Sequence, residues 1–339
     1  MAEAVRYWDP VPYAGFRRLL SGLDPAARPA SVVVRPAGDG RVGVLPGSFN
    51  PLTAAHALLA QAPLDRGLVD GVYFLLAVRT VDKEAPEGLT LPDRVWILDE
   101  YCRGRPGLGI VLTNRGLYVE EAEALRAGPV PPEKELWFLV GFDKIVQIFD
   151  PRYYADREAA LRRLFTLSRF YVAPRSGRTG ADLAEFLARP ENRSFAPYVQ
   201  YLPLPPEYHD PHLSASAVRQ ACAAGSVPPG AVPVEVRRFI EATGAFRPPR
   251  PTPDGDVVDL YGLRVGLLEL IAAGDPPYPP AGTVFRVWEG LTAADPSGRR
   301  ARELLRAGDL AGLFGLFGVE LPPDGQEQSQ GGPGEGPPV

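Results

Sequence analysis

Two short stretches carry the residue types that hold phosphate. In the first, GVLPGSFNPLTAAHALL over residues 43–59, an apolar run ends in a Gly/Ser/Asn/Pro turn and continues into a helical pattern. Thr53 is placed to cap that helix, and His56, one of three histidines, stands at its third position. A helix start offers unpaired N–H groups and the positive end of a dipole, and Gly47 should let a ligand approach the backbone closely. The Thr53 hydroxyl and the His56 imidazole can each donate to a phosphate oxygen. The same residues also describe an ordinary capped turn with a packed histidine. In the second stretch, LSASAVRQACAAG over 213–225, Ser214 and Ser216 open a helix and Arg219 follows one turn on, so hydroxyls and a guanidinium can converge on one anion. Alone, it is most simply a serine-capped helix. Together, the two stretches read as two hands on one polyphosphate.

Such hands need a rigid frame. From Arg41 onward short apolar runs (RVGVLP, GVYFLLAV, LGIVLT, ELWFLVG, RFYVAP and YVQYLPL) alternate with polar turns and, mostly, helix-length segments. That rhythm predicts an α/β fold: a Rossmann-like parallel sheet with helices on both faces, plus a mainly helical C-terminal appendage. In open sheets of this kind ligands lie at the carboxyl ends of the strands, where the strand order reverses. The expected organisation is a lead-in over 1–40, with a helix around Tyr13 to Leu20, and a catalytic domain over 41–246. A Pro-rich linker over 247–256, the appendage over 257–319 with a short strand at TVFRVW, and a disordered tail over 320–339 complete it.

Composition sets the outer bounds. The chain has 339 residues, 45% of them hydrophobic, enough for a full core. Its net charge of −5 argues against a nucleic-acid polymer as partner and leaves small anions. No apolar run reaches the roughly 18 residues of a membrane span, and the start lacks signal-peptide order, so a cytoplasmic protein with no membrane partner is expected. Cys102 and Cys222 read as reduced and structural. His209 and His212 flank Asp210-Pro211, which breaks any helix that would align them, so no protein metal site is expected. Oligomeric state stays open, a homo-oligomer included.

G-S-F-N-P-x-T-x-x-H after a first strand, with L-S-A-S-x-x-R before a late helix, resembles the (H/T)-x-G-H nucleotidyltransferase superfamily, in which two such motifs grip the triphosphate of ATP. The roughly 165 residues between them, together with VRTVDK, GFDKIVQIFDPRYY and VPVEVRRFIEATGAF, are similar to the nicotinamide/nicotinate mononucleotide adenylyltransferase family. The GFDKIVQIFDPRYY stretch is similar to fungal members of the nicotinamide branch. The resemblance covers about residues 41–246. PGSFNPLT alone looks as much like phosphopantetheine adenylyltransferase, whose motifs lie closer together. Two residues depart from the pattern, Ala55 where glycine is usual and Ala215 where serine is usual.

The resemblance implies transfer of AMP from ATP to a pyridine mononucleotide, with Mg²⁺ bound through ATP. It assigns His56 and the Gly47 turn, with Ser48, Phe49 and Asn50, to the α- and β-phosphates. Leu213, Ser214, Ser216 and Arg219 take the β- and γ-phosphates, and Gly141 and Asp143 the ATP ribose. Thr53, His56, Arg219 and Lys83 form the expected catalytic set. For the mononucleotide the candidates are Asn50, Lys83, Trp96, Thr113, Asn114 and Arg175. Each has a plainer reading: Trp96 as core, Asp143 as a helix cap, Lys83, Arg175 and Arg178 as solvated loop residues. A nucleotide-binding sensor or scaffold without turnover, and an adenylyltransferase for another phosphorylated acceptor, are the alternative functions.

Overall fold

Seven strands form one sheet in the order β1-β4-β3-β2-β5-β6-β7 in the computed structural model, which describes residues 2–78, 88–175, 177–252, 255–319 and 321. The strands are β1 (Ser31–Arg35), β2 (Val42–Pro46), β3 (Gly71–Ala77), β4 (Leu108–Thr113), β5 (Leu136–Gly141), β6 (Arg169–Ala173) and β7 (Val199–Tyr201). All neighbours are parallel except β1, which runs antiparallel to β4 along one edge. The six apolar runs are β2 to β7; β2 to β6 are buried on successive positions because helices cover both faces, whereas the edge strand β7 buries Val199 and exposes Gln200. β1 belongs to the segment expected as a lead-in. Its residues are half-exposed, and so it lacks the continuous apolar signature of the inner strands.

The strand order fixes the place of the site. The chain moves outward from β2 through β3 to β4, then returns to β5 on the other side of β2 and moves out again. β2 and β5 pair only as far as Val44 and Phe138. Beyond that point Leu45–Pro46 and Leu139–Gly141 border an opening at the switch point of the sheet. Below it, Val44, Phe138, Val140, Phe170 and Val172 are packed core, with the Phe138 and Phe170 rings stacked at 5.3 Å.

The chain forms two compact units. The sheet unit is Gly15–Arg250 with Asp259–Tyr261, and the other described residues form the second. That second unit is mainly helical, with α-helices at Ala281–Thr292, Pro296–Ala307 and Leu310–Leu316. Trp8 is fully buried in it, 4.8 Å from the Phe285 ring and 4.7 Å from Trp288. The buried Arg302 bonds Asp256 at 2.8 Å and donates to the carbonyls of Leu291 and Ala293, holding the Asp256 carboxyl down at about 2. TVFRVW, expected as a strand, lies inside the helix Ala281–Thr292. Its β-branched residues suggest a strand, but Val284, Val287 and Leu291 are buried at helical spacing, and tertiary burial overrides the local preference. The tail over 320–339 lies, apart from Leu321, outside the described residues.

Candidate active site

The opening between β2 and β5 is a cleft of about 730 Å³. Its floor is the first motif. Gly47, Ser48 and Asn50 turn the chain out of β2, and Thr53 leads into the helix Ala54–Asp65. The turn is unusually shaped. Phe49 has a φ of +44°, a region that bulky residues rarely enter, and its ring folds back over Gly47. A Cβ on Gly47 would lie 2.7 Å from the Phe49 Cζ, so here the glycine makes room for a phenyl ring. The ring gives a packing reason for the glycine beside the expected one, close approach of a ligand, since Gly47 also lines the cleft. The same ring meets His56 at 5.3 Å and Phe74 at 5.4 Å edge to face, anchoring the turn to the core.

His56 is the residue the turn positions most closely. The backbone N–H of Thr53 donates to its Nδ1 at 3.1 Å, so Nδ1 carries no proton and the neutral ring holds its hydrogen on Nε2. The Thr53 hydroxyl lies 2.9 Å from the same Nδ1 and must therefore be the donor there. Thr53, fully buried, thus spends its proton orienting the imidazole, where the sequence suggested direct donation to phosphate. Burial, with the Arg175 cation in second place, pushes His56 down to about 4. At neutral pH it is an uncharged N–H donor in the cleft wall.

The second motif forms the opposite wall. Ser214 caps the helix Ala215–Ala223, its Oγ accepting from the Ala217 N–H at 3.2 Å, and Ala215 and Ser216 begin the helix at the cleft. Arg219 donates from Nη1 to the Asn50 carbonyl at 2.8 Å and from Nη2 to Ser216 Oγ at 3.4 Å. One guanidinium therefore joins two motifs 169 residues apart. Asp143 and Arg175 pair across the third side at 3.3 Å. Asp143 sits in the first turn of Phe142–Ile148 without capping it, since Gly141 holds the cap position. Arg175 also bonds Tyr208, a further lining residue.

All residues expected to bind ATP therefore line one cleft: Gly47, Ser48, Phe49, Asn50, His56, Gly141, Asp143, Leu213, Ser214, Ser216 and Arg219. The mononucleotide set divides. Asn50 and Arg175 are in the cleft, and Lys83 lies outside the described residues. Trp96 is buried 6.4 Å from Phe16 and lines neither the cleft nor the pocket beside it. Asn114 is 1% exposed, accepts from Ala30 N and donates to the carbonyls of Asp24 and Arg28. Every polar atom of its amide is thereby committed to holding the 24–30 segment. The buried Thr113 accepts from Arg115 N, at 3.3 Å. Arg178 bonds Asp182 away from the cleft. His209 and His212 are exposed.

Four residues escape the motif reading. Arg94 is 3% exposed, donates to the Leu89 carbonyl at 2.8 Å and reaches Ser48 Oγ at 3.2 Å. Burial lowers it to about 10, which leaves a full positive charge directly behind the turn. Lys144, Tyr118 and Glu121 border a side pocket of about 180 Å³ that shares Pro46, Gly47 and Ser48 with the cleft. Lys144 was signalled only by its place after Asp143. Tyr118 and Glu121 lie just past Asn114, where a helix turns them toward the strand ends.

No family model matches the chain. Its sequence is 30% identical over 223 residues to the probable nicotinate-nucleotide adenylyltransferase of Laribacter hongkongensis, covering 62% of this chain and 96% of that protein. It is 29% identical over 213 residues to the probable nicotinate-nucleotide adenylyltransferase of Bordetella avium, covering 61% and 98%. A solved Plasmodium falciparum nicotinic acid mononucleotide adenylyltransferase, complexed with NaAD, aligns with 14% identity and a TM-score of 0.43 over 60% of this chain and 95% of that one.

Proposed function

The chain belongs to the nicotinate-nucleotide adenylyltransferase family, and on that premise we propose that it transfers AMP from ATP to a pyridine mononucleotide, releasing pyrophosphate and forming the dinucleotide. The observation that carries the reading is the Arg219–Asn50 bond, which ties the two phosphate motifs together around one cleft. The triphosphate lies between them. The Nε2–H of His56 and the N–H groups of the first turn hold the α- and β-phosphates, while Arg219, Ser216 and the start of Ala215–Ala223 hold the β- and γ-phosphates. Gly141 and Asp143 face the ATP ribose. The acceptor's 5′-phosphate, already anionic at neutral pH (second pKa about 6), attacks the α-phosphorus, so no general base is required. The P–O bond to the β-phosphate breaks as the new one forms, and pyrophosphate leaves with the electron pair.

Positioning and charge stabilisation carry the rate. His56 is suited to this because a neutral donor held by Thr53 keeps its proton while charge builds on the phosphorus oxygens. Arg94 adds a buried positive charge behind Ser48. Ala55 and Ala215 leave these groups in place, since Ala55 lines the cleft with only a methyl and Ala215 still opens its helix. Among the described residues no group of three His, Cys, Asp or Glu side chains is placed to hold a metal ion. The cleft's donors are N–H, hydroxyl and guanidinium groups that suit phosphate, so Mg²⁺ fits as a companion of ATP held by phosphate oxygens and water. When bound, it neutralises charge on the departing pyrophosphate. Among the described residues no helix is long and apolar enough to cross a membrane, and the expected cytoplasmic setting is kept as part of the proposal.

The test is incubation of the full chain with ATP, Mg²⁺ and a panel of phosphorylated acceptors. Pyrophosphate and a pyridine dinucleotide are expected, in equal amounts. ATP binding without pyrophosphate release from any acceptor would support the sensor reading instead, and a different adenylylated acceptor would replace the substrate.

A further inference from the structure

The first turn is held by a segment that neither motif contains. The Leu89 N–H donates to Asn50 Oδ1 at 3.0 Å, and the Leu89 carbonyl accepts from Arg94, whose guanidinium also reaches Ser48 Oγ. Gly88, at a φ of +117°, lies so near that a Cβ there would meet Asn50 Oδ1 at 2.7 Å. Two residues of the first motif are therefore placed by residues 88–94. That segment is fixed in turn at its next peptide. The Thr90 N–H donates to the Tyr261 hydroxyl at 2.9 Å, and the same hydroxyl donates to Asp93 Oδ2 at 2.7 Å. Thr90 Oγ1 donates to that carboxyl oxygen at 3.1 Å and accepts from the Asp93 N–H, capping the helix Leu91–Cys102. Asp93 is 0% exposed, and a carboxyl so buried needs such partners. Tyr261 comes from beyond the Pro-rich linker, 168 residues after Asp93 and outside the 41–246 stretch that resembles the family. Asp259–Tyr261 nevertheless belong to the sheet unit, where Leu260 lies so close to Gly244 that a Cβ on the glycine would come within 2.9 Å of it.

Resting on the adenylyltransferase reading, we infer that Tyr261 is a positioning residue for the reaction. Its hydroxyl sets Thr90 and Asp93, these set Leu89 and Arg94, and these set Asn50 and Ser48 in the turn that receives the α- and β-phosphates. The position must accept a bond from an amide and donate one to a carboxyl at the same time, which a tyrosine hydroxyl does and a phenyl ring cannot. Neither Tyr261 nor Asp93 lines the cleft, so the relay acts on the alignment of the turn and not on the charge offered to the triphosphate. Arg219 and Ser216 keep their hold on the β- and γ-phosphates without it. Alignment is felt most where the reacting atoms must meet in line, so its loss falls on turnover more than on ATP affinity.

The experiment measures kcat and KM with ATP, Mg²⁺ and the pyridine mononucleotides, and calorimetric ATP affinity, for the full chain as wild type, Tyr261→Phe, Asn50→Ala and the double variant. Tyr261→Phe should lower kcat by about 10-fold with ATP affinity within about 2-fold of wild type, since misplacement from a distance costs rate. Asn50→Ala breaks the relay where it meets the turn, so adding Tyr261→Phe to it should cost about 3-fold or less, the non-additivity of residues in one network. Asp93→Asn weakens the same junction and should show the same split between kcat and affinity; it decides the matter if Tyr261→Phe does not fold. Unchanged kcat in a folded Tyr261→Phe, ATP affinity lost in step with kcat, or a double variant whose loss is the product of the two single losses overturns the assignment and leaves the adenylyltransferase reading intact. ATP bound but no mononucleotide adenylylated, by wild type included, overturns both.

Discussion

At the scale of single residues the site depends on how one imidazole is held. Thr53 supplies two donors to Nδ1 of His56, from its backbone and its hydroxyl, and leaves Nε2–H for the ligand. His56→Ala should therefore cut kcat by about 10²-fold, as the loss of one preorganised donor to developing charge is worth about 3 kcal/mol. Unchanged kcat in a well-folded variant would remove it from the phosphate site. The titration has a definite sign. The folded group stays neutral down to about 4 whereas the unfolded one takes a proton below about 6.5, so the unfolded state binds more protons between these values. His56 thus contributes to a stability that rises with pH across that window and falls as pH drops through it. Nitrogen NMR of the free protein should show Nε2 protonated and no titration of this ring from pH 8 to 5; a midpoint near 6.5 would contradict the geometry.

At the scale of elements the first turn is the critical piece. Gly47 admits the Phe49 ring, and the ring in turn packs on Phe74 of β3 and on His56. Gly47→Ala should cost about 1–3 kcal/mol of stability, the usual penalty for overpacking, and weaken ATP binding with it. Urea denaturation alongside an ATP titration checks this, and wild-type values for both would show that the ring is free to move. The strands of this unit were legible because their buried faces make continuous apolar runs, and the two motifs because hydroxyl, imidazole and guanidinium stand at helix starts. The half-exposed β1 carries no such signal. Arg94 was hidden because its place behind Ser48 depends on which helix face meets the strand ends, a matter of packing rather than spacing. Asn114 looked like a ligand-binding amide for the converse reason: its bonds go to a backbone segment 84 to 90 residues earlier, which no local pattern reveals.

At the scale of the whole molecule the chain divides into a sheet unit that contains every described residue of the cleft and a mainly helical unit built partly from residues 2–14. The proposed boundaries, with catalysis over 41–246 and an appendage over 257–319, make the end of the chain dispensable. Its composition, rich in Gly, Pro and Gln, offers almost nothing to bury. Deleting the residues after Val319 should leave Tm and turnover unchanged, and a large fall in Tm would show that the tail packs. The central claim is that two distant motifs hold one triphosphate, and Arg219 is where they meet. Calorimetric titration of wild type, Arg219→Ala and Arg219→Lys with ATP, and separately with mononucleotide, tests it most directly. The alanine variant should lose ATP affinity by about 10-fold or more and lysine should recover only part of it, lacking the planar fork, while mononucleotide affinity changes much less. Equal ATP affinity across all three proteins would contradict the account.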